Sequence, residues 1–312
     1  MVNSRERVVL ALNHEEADKV PLDLGGSPTT GMHVSTVYAL RQALKLDPPG
    51  APVKVIEPYQ MLGEIALDLC EALGVDVLGL SSKTTMFGFK SENWKPWRLF
   101  DGTPVLVPGE FNTGPDAEGS ILMHPQGDRN APPCARMPTF GFYFDAVDRQ
   151  PLVDWKNLNL EDNLEEFGSI SNEELESLRR EAERLYTQTD KAILANFGGT
   201  SFGDIALVPG LQIKNPRGIR GVKEWYMCHI LRPDYIYQIF ERQCEIALEN
   251  LDKIHKVVGE RVTAVFVSGT DFGTQRGPIM SNATYEKLYK PFHKRVNDWI
   301  HEQTSWKTFI HS

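Results

Sequence analysis

The sequence predicts an α/β protein built on a parallel sheet, and three observations lead to this prediction. Short apolar segments alternate with longer segments whose apolar residues recur at helical spacing. The segments between candidate strands are much longer than hairpin turns, so we expect right-handed crossover connections between parallel strands. The chain has 312 residues, of which 41% are hydrophobic and 24% charged, as in a folded globular protein.

The first elements predicted along the chain are a helix, a strand, a second helix and a second strand. Ser4 is expected to cap the short first helix. Residues 20–24 predict a strand. Residues 58–73 have apolar side chains at helical spacing, and the short apolar run at 75–80 predicts a buried strand.

Residues 94–150 differ in composition from the rest of the chain, because they contain several tryptophan and phenylalanine residues and many glycines and prolines. Asp101 and Gly102 stand between two apolar runs, which is a strong hairpin signal. We therefore expect an inserted antiparallel ribbon with a long loop, and such insertions commonly cover a site. Residues 1–312 are otherwise expected to form a single domain.

The alternation of helices and strands resumes after the insertion. Ser171 and Glu174 form a capping-box pattern that opens a helix to about residue 189. The elements predicted after it are a strand at 191–197, a helix from Asn215-Pro216, a helix at 234–258, a strand at 262–268, a helix capped by Ser281 and a strand at 306–311.

Charge and composition exclude several classes of protein. There are 33 Lys+Arg against 42 Asp+Glu, and the net charge of −9 provides no basic field for nucleic acid or an anionic membrane. The four cysteines lack CxxC spacing, the N-terminus lacks a signal-peptide apolar region, and no apolar run approaches 18 residues. We expect a cytoplasmic protein with reduced cysteines and with neither nucleic acid nor membrane as a partner.

The carboxyl ends of the predicted strands locate the candidate site. In a parallel sheet these ends meet at one edge, where ligands bind. The five strand ends carry small or polar residues, namely Gly25-Gly26, Ser81-Ser82-Lys83, Gly198-Gly199-Thr200, Ser268-Gly269-Thr270-Asp271 and His311-Ser312.

Asp271 is the first candidate for a chemical role at this edge. It lies in the string SGTDFGTQRGP, in which Ser268, Thr270 and Gln275 add hydrogen-bonding groups. A carboxylate there can orient a substrate, bind a cation or act as a base. The alternative is an Asp that caps the following loop.

His311 and the paired glycines are further candidates. A buried His needs a partner for each ring nitrogen, so His311 is either a metal ligand or a satisfied core residue. Gly25 and Gly26 form either a tight turn or a close approach of backbone to a substrate, and no GxGxxG follows that would indicate a nucleotide site. Cys134 lies in a predicted loop and is a candidate reactive thiol.

Five strings of the chain are informative in combination, namely SRERVVLALNHEEADKVPLDLGG, LGVDVLGL, Asp-Phe-Gly-Thr-Gln-x-Gly-Pro at 271–278, YEKLYKPFHKRVNDWIHE and WKTFIHS. Taken together they resemble the uroporphyrinogen decarboxylase-like superfamily, especially its corrinoid-dependent methyltransferase branch. The resemblance spans nearly the whole chain and implies a (β/α)8 TIM barrel with its site at the C-terminal rim.

The methyltransferase branch implies a zinc ion and a corrinoid (cobalamin) presented by a partner protein. The zinc is held by a His-x-Cys pair and a second, distant Cys, and the zinc-bound thiol of an acceptor takes the methyl group; the reverse transfer uses the same site. The roles implied for this chain are His311 as a zinc ligand, Asp271, Ser268, Thr270 and Gln275 lining the substrate pocket, Gly25 and Gly26 shaping the corrinoid-facing rim, and Asp204 as a second polar rim residue.

The chain ends at Ser312, where the resemblance implies that the Cys of this pair follows. Only five of eight barrel strands are predicted, so we expect a C-terminally truncated barrel with an exposed sheet edge.

Two alternative functions stay open. A uroporphyrinogen decarboxylase, a tetrapyrrole carboxy-lyase of porphyrin biosynthesis, carries an arginine-rich first βα loop, whereas the loop LGGSPTTGMH contains no arginine. This departure argues against uroporphyrinogen as the substrate. The other alternative is a corrinoid-binding barrel without catalytic activity.

Overall fold

The computed structural model describes residues 2–312 and arranges them as helices around several separate β-sheets. The helices are α1 (Ser4–Leu12), α2 (Val34–Ala43), α3 (Leu67–Leu73), α4 (Asn172–Gln188), α5 (Val222–Leu231), α6 (Pro233–Val258), α7 (Asn282–Leu288) and α8 (Lys290–Gln303). The strands are β1 (Val53–Glu57), β2 (Leu62–Gly63), β3 (Val77–Ser81), β4 (Lys95–Arg98), β5 (Pro104–Val107), β6 (Gly114–Pro115), β7 (Ile121–Met123), β8 (Ala135–Met137), β9 (Asp145–Ala146), β10 (Ala192–Asn196), β11 (Ala264–Ser268), β12 (Gly273–Thr274), β13 (Gly277–Pro278) and β14 (Lys307–Ile310).

A parallel sheet is formed by four of the five predicted strands. Its order is β14-β11-β10-β3, and every neighbouring pair in it is parallel. The α/β class and the parallel sheet are therefore confirmed. Because the strands run in the same direction, their carboxyl ends lie at one edge of the sheet.

Both faces of the central strands are apolar, because successive side chains of a strand point to opposite faces. Ile193 and Val265 belong to the large core that includes residues of α4, α6 and α8. Leu194 and Phe266 belong to a smaller cluster on the other face, together with Val8 of α1.

Residues 20–24 are not a strand, and this prediction is wrong. Pro21 has no N–H to donate to a neighbouring strand. The N–H of Leu22 donates to the side-chain Oδ2 of Asp76 at 3.0 Å, and its carbonyl accepts the N–H of Asp76 at 2.8 Å. The segment is therefore attached beside β3 through one residue rather than through a ladder.

Helix α1 is capped by Asn3 and not by Ser4. The side chain of Asn3 accepts the N–H of Glu6, and the carboxylate of Glu6 accepts the N–H of Asn3. Ser4 instead donates its hydroxyl to the buried Asp76 at 2.8 Å, and Arg7 donates to the same oxygen at 2.5 Å. The first helix is thereby fixed to the start of β3 by one buried carboxylate.

The predicted helix at 58–73 is wrong in its first half. The carboxylate of Glu57 accepts the N–H groups of Tyr59 and Gln60, and Met61 has a φ of 55°, which no α-helix contains. The chain therefore turns after β1 and returns as β2, and only α3 is helical.

Two of the three helix starts predicted at serines, those at Ser171 and Ser281, are confirmed. The hydroxyl of Ser171 accepts the N–H of Glu174 at 3.1 Å where α4 begins. Ser281 accepts the N–H of Thr284 at 3.1 Å where α7 begins. The helix predicted at 234–258 is confirmed as α6.

The helix predicted from Asn215-Pro216 is wrong, because α5 begins only at Val222. Gly218 has a φ of 76°. The side-chain oxygen of Gln150 accepts the N–H groups of Arg220 and Gly221 at 2.6 and 2.7 Å. These bonds hold an irregular segment in place of a first helical turn.

The predicted antiparallel ribbon is confirmed as β4 and β5, which pair with Arg98 opposite Pro104 across the Asp101-Gly102 turn. Strand β5 also pairs in parallel with β1, an unpredicted strand, with Val105 opposite Val53. Strands β6 to β9 form a further antiparallel sheet. A second hydrophobic core, which includes residues from α2, β1, β5 and β8, joins the predicted insertion to residues 34–63.

None of the sheets closes into a barrel within residues 2–312, and the (β/α)8 barrel stays a prediction. Strands β3 and β14 are the two outer strands of the parallel sheet. No helix in the described part of the chain has the length and apolar character needed to cross a membrane.

Candidate functional site

Asp271 and His311 come together at the carboxyl edge of the parallel sheet. The backbone N–H of His311 donates to the carbonyl of Ser268 at 2.9 Å, so the chain after β14 continues beside the end of β11. The imidazole Nε2 of His311 lies 3.4 Å from Oδ1 of Asp271. Both side chains are about half exposed, so a ligand in solution can reach them.

Asp204 is the third ionisable group at this edge. Its Oδ1 accepts the N–H of Ala206 at 3.0 Å, which fixes the carboxylate in the loop after β10. Its Oδ2 lies 3.5 Å from the position that a Cβ would occupy on Gly269. Burial raises the pKa of Asp204 to about 6; the charge of Asp271 also raises it, and His311 lowers it. The carboxyl group therefore titrates near neutral pH.

Ser268 and Thr270 connect the loops of the site. Both are buried, at 0% and 3% exposure, in contrast to the half-exposed pair above them. The hydroxyl of Thr270 donates to the carbonyl of Phe202 at 2.9 Å, and the hydroxyl of Ser268 donates to Thr270. The N–H of Gly269 donates to Ser201 at 3.2 Å. The loops after β10 and β11 are thus held together by hydroxyl groups below the surface.

Gln275 lies in an exposed turn, and the paired glycines Gly25 and Gly26 pack against strand β3. Gln275 is exposed in the turn between β12 and β13. A Cβ added to Gly79 of β3 would lie 2.9 Å from the carbonyl oxygen of Gly26, so the Gly25-Gly26 loop packs directly on the strand. Gly25 has a φ of 83°, which favours glycine. The close backbone approach at these glycines is therefore to the protein itself.

Two tyrosines near the acidic groups were missed from the sequence. The pKa of Tyr226 is raised by burial and then by the charges of Asp271 and Asp204. The pKa of Tyr59 is raised by burial and by several carboxylates, among them Asp204. Tyr226 lies in α5 and Tyr59 in the turn after β1, and no motif connects either position with the strand ends.

The cysteines lie in the interior of the protein, whereas His311 is exposed. All four are buried free thiols within the hydrophobic cores. Cys134 is fully buried, and burial raises the pKa of its thiol to about 12. The predicted reactive thiol at Cys134 is therefore wrong, because a buried thiol with a raised pKa is inert.

The zinc site implied by the resemblance can be compared with these positions. A catalytic zinc ion takes three protein ligands and leaves one position open. Within residues 2–312 no three His, Cys, Asp or Glu side chains are arranged to hold a metal ion. His311 and Asp271 would supply two ligands at most. The described residues therefore do not by themselves fit the zinc site.

Comparisons of the chain with known protein families, with curated proteins and with solved structures found no match.

Proposed function

We propose that the chain is an enzyme whose carboxyl-edge site moves a proton during methyl transfer between a corrinoid carried by a partner protein and a small thiol or oxygen compound. The convergence of Asp204, Asp271 and His311 supports the acid–base part of the proposal. The methyl-transfer part rests on the family resemblance of the sequence.

Asp204 is proposed as the group that exchanges a proton with the substrate. A carboxyl group with a pKa of about 6 is close to the optimum for a general acid or base at neutral pH. When a thiol accepts the methyl group, its S–H bond breaks and the proton passes to Asp204. The new S–C bond forms as the methyl group leaves the corrinoid, which keeps the electron pair. In the reverse direction Asp204 returns the proton to the leaving sulfur or oxygen.

Asp271 is proposed to orient His311. A carboxylate beside one imidazole nitrogen fixes the orientation of the ring. The distance of 3.4 Å between Nε2 and Oδ1 allows this contact to tighten when a ligand binds. His311 would then stabilise negative charge that develops on the sulfur or oxygen of the substrate.

The remaining parts of the proposal come from the sequence. Zinc stays in it through the resemblance alone, with His311 as its proposed ligand, and none of the steps above depends on zinc. Gly25 and Gly26 are proposed to face the corrinoid. The four free thiols suit the reducing cytoplasm that we propose as the location.

Tetrapyrrole decarboxylation is the less well supported alternative. A substrate with several carboxylate arms needs cationic groups around it. The ionisable groups that meet at this edge include the two carboxylates of Asp204 and Asp271, which repel such a substrate.

A methyl-transfer assay with free methylcobalamin and a small thiol tests the proposal. The 312-residue chain should form the thioether, and Asp204→Asn should slow it by about 10²-fold or more. Glu176→Gln, which changes an exposed carboxylate on α4, is the matched control and should leave the rate unchanged. Equal rates in all three proteins would contradict the proposal. Release of carbon dioxide from uroporphyrinogen under anaerobic conditions would favour the lyase.

A further inference from the structure

Tyr289 is a buried residue that touches both loops of the candidate site. It follows α7 and is 1% exposed. Its ring packs edge-on against Phe272, with 5.0 Å between the ring centroids, and Phe272 directly follows Asp271. Its hydroxyl lies 2.8 Å from the position that a Cβ would occupy on Gly203, and Gly203 directly precedes Asp204. One side chain therefore supports the neighbours of both carboxylates.

Gly203 is required by this contact for two independent reasons. Its φ of 64° lies in the left-handed region that favours glycine. A side chain there would also collide with the Tyr289 hydroxyl and with Phe240, whose Cζ lies 2.9 Å from the added Cβ. The loop before Asp204 thus rests directly on Tyr289, without a side chain between them.

His229 fixes the orientation of Tyr289. Its Nδ1 lies 2.8 Å from the carbonyl oxygen of Trp225, and a carbonyl only accepts, so Nδ1 carries the proton. Nε2 is then an acceptor and receives the hydroxyl proton of Tyr289 at 2.6 Å. His229 is itself buried, and burial lowers the pKa of its imidazole, which keeps the ring neutral.

We propose that Tyr289, oriented by His229, is a positioning residue that sets the separation between the loops carrying Asp204 and Asp271. The catalytic effect inferred for Tyr289 rests on the proposed function, whereas the contacts of its side chain do not depend on that function. Tyr289 makes no side-chain hydrogen bond to either carboxylate and is proposed to act through Gly203 and Phe272.

Carbon-13 NMR titration of the Asp204 carboxyl group tests the inference without any assay of the reaction. In Tyr289→Leu the contacts with Gly203 and Phe272 are lost, so the two loops should relax and the Asp204 carboxyl group should become more exposed to solvent. Its pKa should fall from about 6 towards the ordinary value of aspartic acid, about 4. Tyr289→Phe keeps the ring beside Gly203 and Phe272 but loses the hydrogen bond to His229, so the pKa should fall by less than in Tyr289→Leu.

Phe111→Leu is the matched control, because Phe111 is a buried aromatic residue of the second core. It should lower stability and leave the titration of Asp204 unchanged. If Tyr289→Leu does not fold, Gly203→Ala replaces it, since the added Cβ pushes the loop away from Tyr289. The same fall in pKa is expected there.

A folded Tyr289→Leu protein in which Asp204 still titrates as in the wild type would overturn the inference. Loss of folding in both Tyr289→Leu and Gly203→Ala would also count against it, because Tyr289 would then be a general core residue. In the methyl-transfer assay Tyr289→Leu should lose roughly tenfold or more in rate, and Tyr289→Phe should lose less. Absence of methyl transfer in every protein, with the titrations as expected, would contradict only the proposed function.

Discussion

Nε2 of His311 lies 3.4 Å from Oδ1 of Asp271, at the ends of two neighbouring parallel strands. The exposed fractions of these side chains are 48% and 58%. A pair this exposed contributes little to the free energy of unfolding, because water and salt screen the attraction. Its place at the sheet edge therefore points to chemistry rather than to stability.

The variants His311→Ala and Asp271→Asn can distinguish a role of this pair in chemistry from a role in stability. Each should change the free energy of unfolding in urea by less than about 1 kcal/mol. Each should nevertheless slow methyl transfer by about 10²-fold. A large loss of stability together with an unchanged rate would assign the pair a purely structural role.

Asp204 should produce a pH dependence of the rate. Its pKa of about 6 means that the carboxylate form, which accepts the thiol proton, becomes the main form above that pH. The rate of transfer to a thiol should therefore rise between about pH 5 and 7 and then level off. Asp204→Asn should remove this limb of the profile. A profile of the same shape in the variant would show that another group titrates.

The same residue should make stability depend on pH. Its folded pKa of about 6 lies above the unfolded value of about 4, so the native state binds the proton more tightly. The resulting stabilisation is present below about pH 4 and is lost as the pH rises through about 6. The free energy of unfolding of Asp204→Asn should exceed that of the wild type by about 1–3 kcal/mol at pH 8 and should equal it near pH 4. Urea unfolding at the two pH values measures this, and an equal difference at both would contradict it.

Zinc binding should be weak and should depend on His311. His311 and Asp271 are a possible ligand pair, and among the described residues no third ligand joins them, whereas a stable catalytic site takes three protein ligands. We expect dialysis against a chelator to remove zinc from the 312-residue chain, and His311→Ala to weaken zinc binding by about tenfold or more. Calorimetric titration with zinc checks both. Equal affinities of the two proteins would rule His311 out as a ligand.

The four thiols should be unreactive in the folded protein. Burial raises the pKa of Cys134 to about 12 and those of Cys228 and Cys244 to about 11. Cys70 is also fully buried. A chromogenic disulfide reagent should label none of them until a denaturant is added. Rapid labelling of one thiol under native conditions would reveal a local opening of a core.

The parallel sheet could be predicted because its central strands are continuous apolar runs, which other segments of the chain bury on both faces. The segment at 20–24 shows where that reasoning fails. Its apolar run resembles a strand, but the Leu22 N–H is bound by the side chain of Asp76, and that contact across the fold has no local sign. Strand β1 was missed because its partner β5 lies within the segment taken as an insertion.

The candidate site was predictable only in part. Asp271 and His311 each follow a strand, so topology alone brings them to one edge. Asp204 was expected at this edge only through the family resemblance. Its raised pKa comes from burial, which depends on the packing of the whole loop. Tyr289 could not be foreseen, since a tyrosine within an apolar helical pattern reads as an ordinary core residue. Its role depends on two contacts with distant loops, one with Gly203 and one with Phe272.

Helix α1 bears on the order in which the protein folds during synthesis. Arg7 and Ser4 bind Asp76 at the start of β3, while the N–H of Arg5 donates to the carbonyl of Asp190 and its guanidinium to the carbonyl of Lys191. Helix α1 therefore finds its complete docking surface only after β10 has been made. At about 5–20 residues per second, the chain between α1 and β10 takes on the order of ten seconds or more to synthesise, so the docking of α1 is completed late in folding.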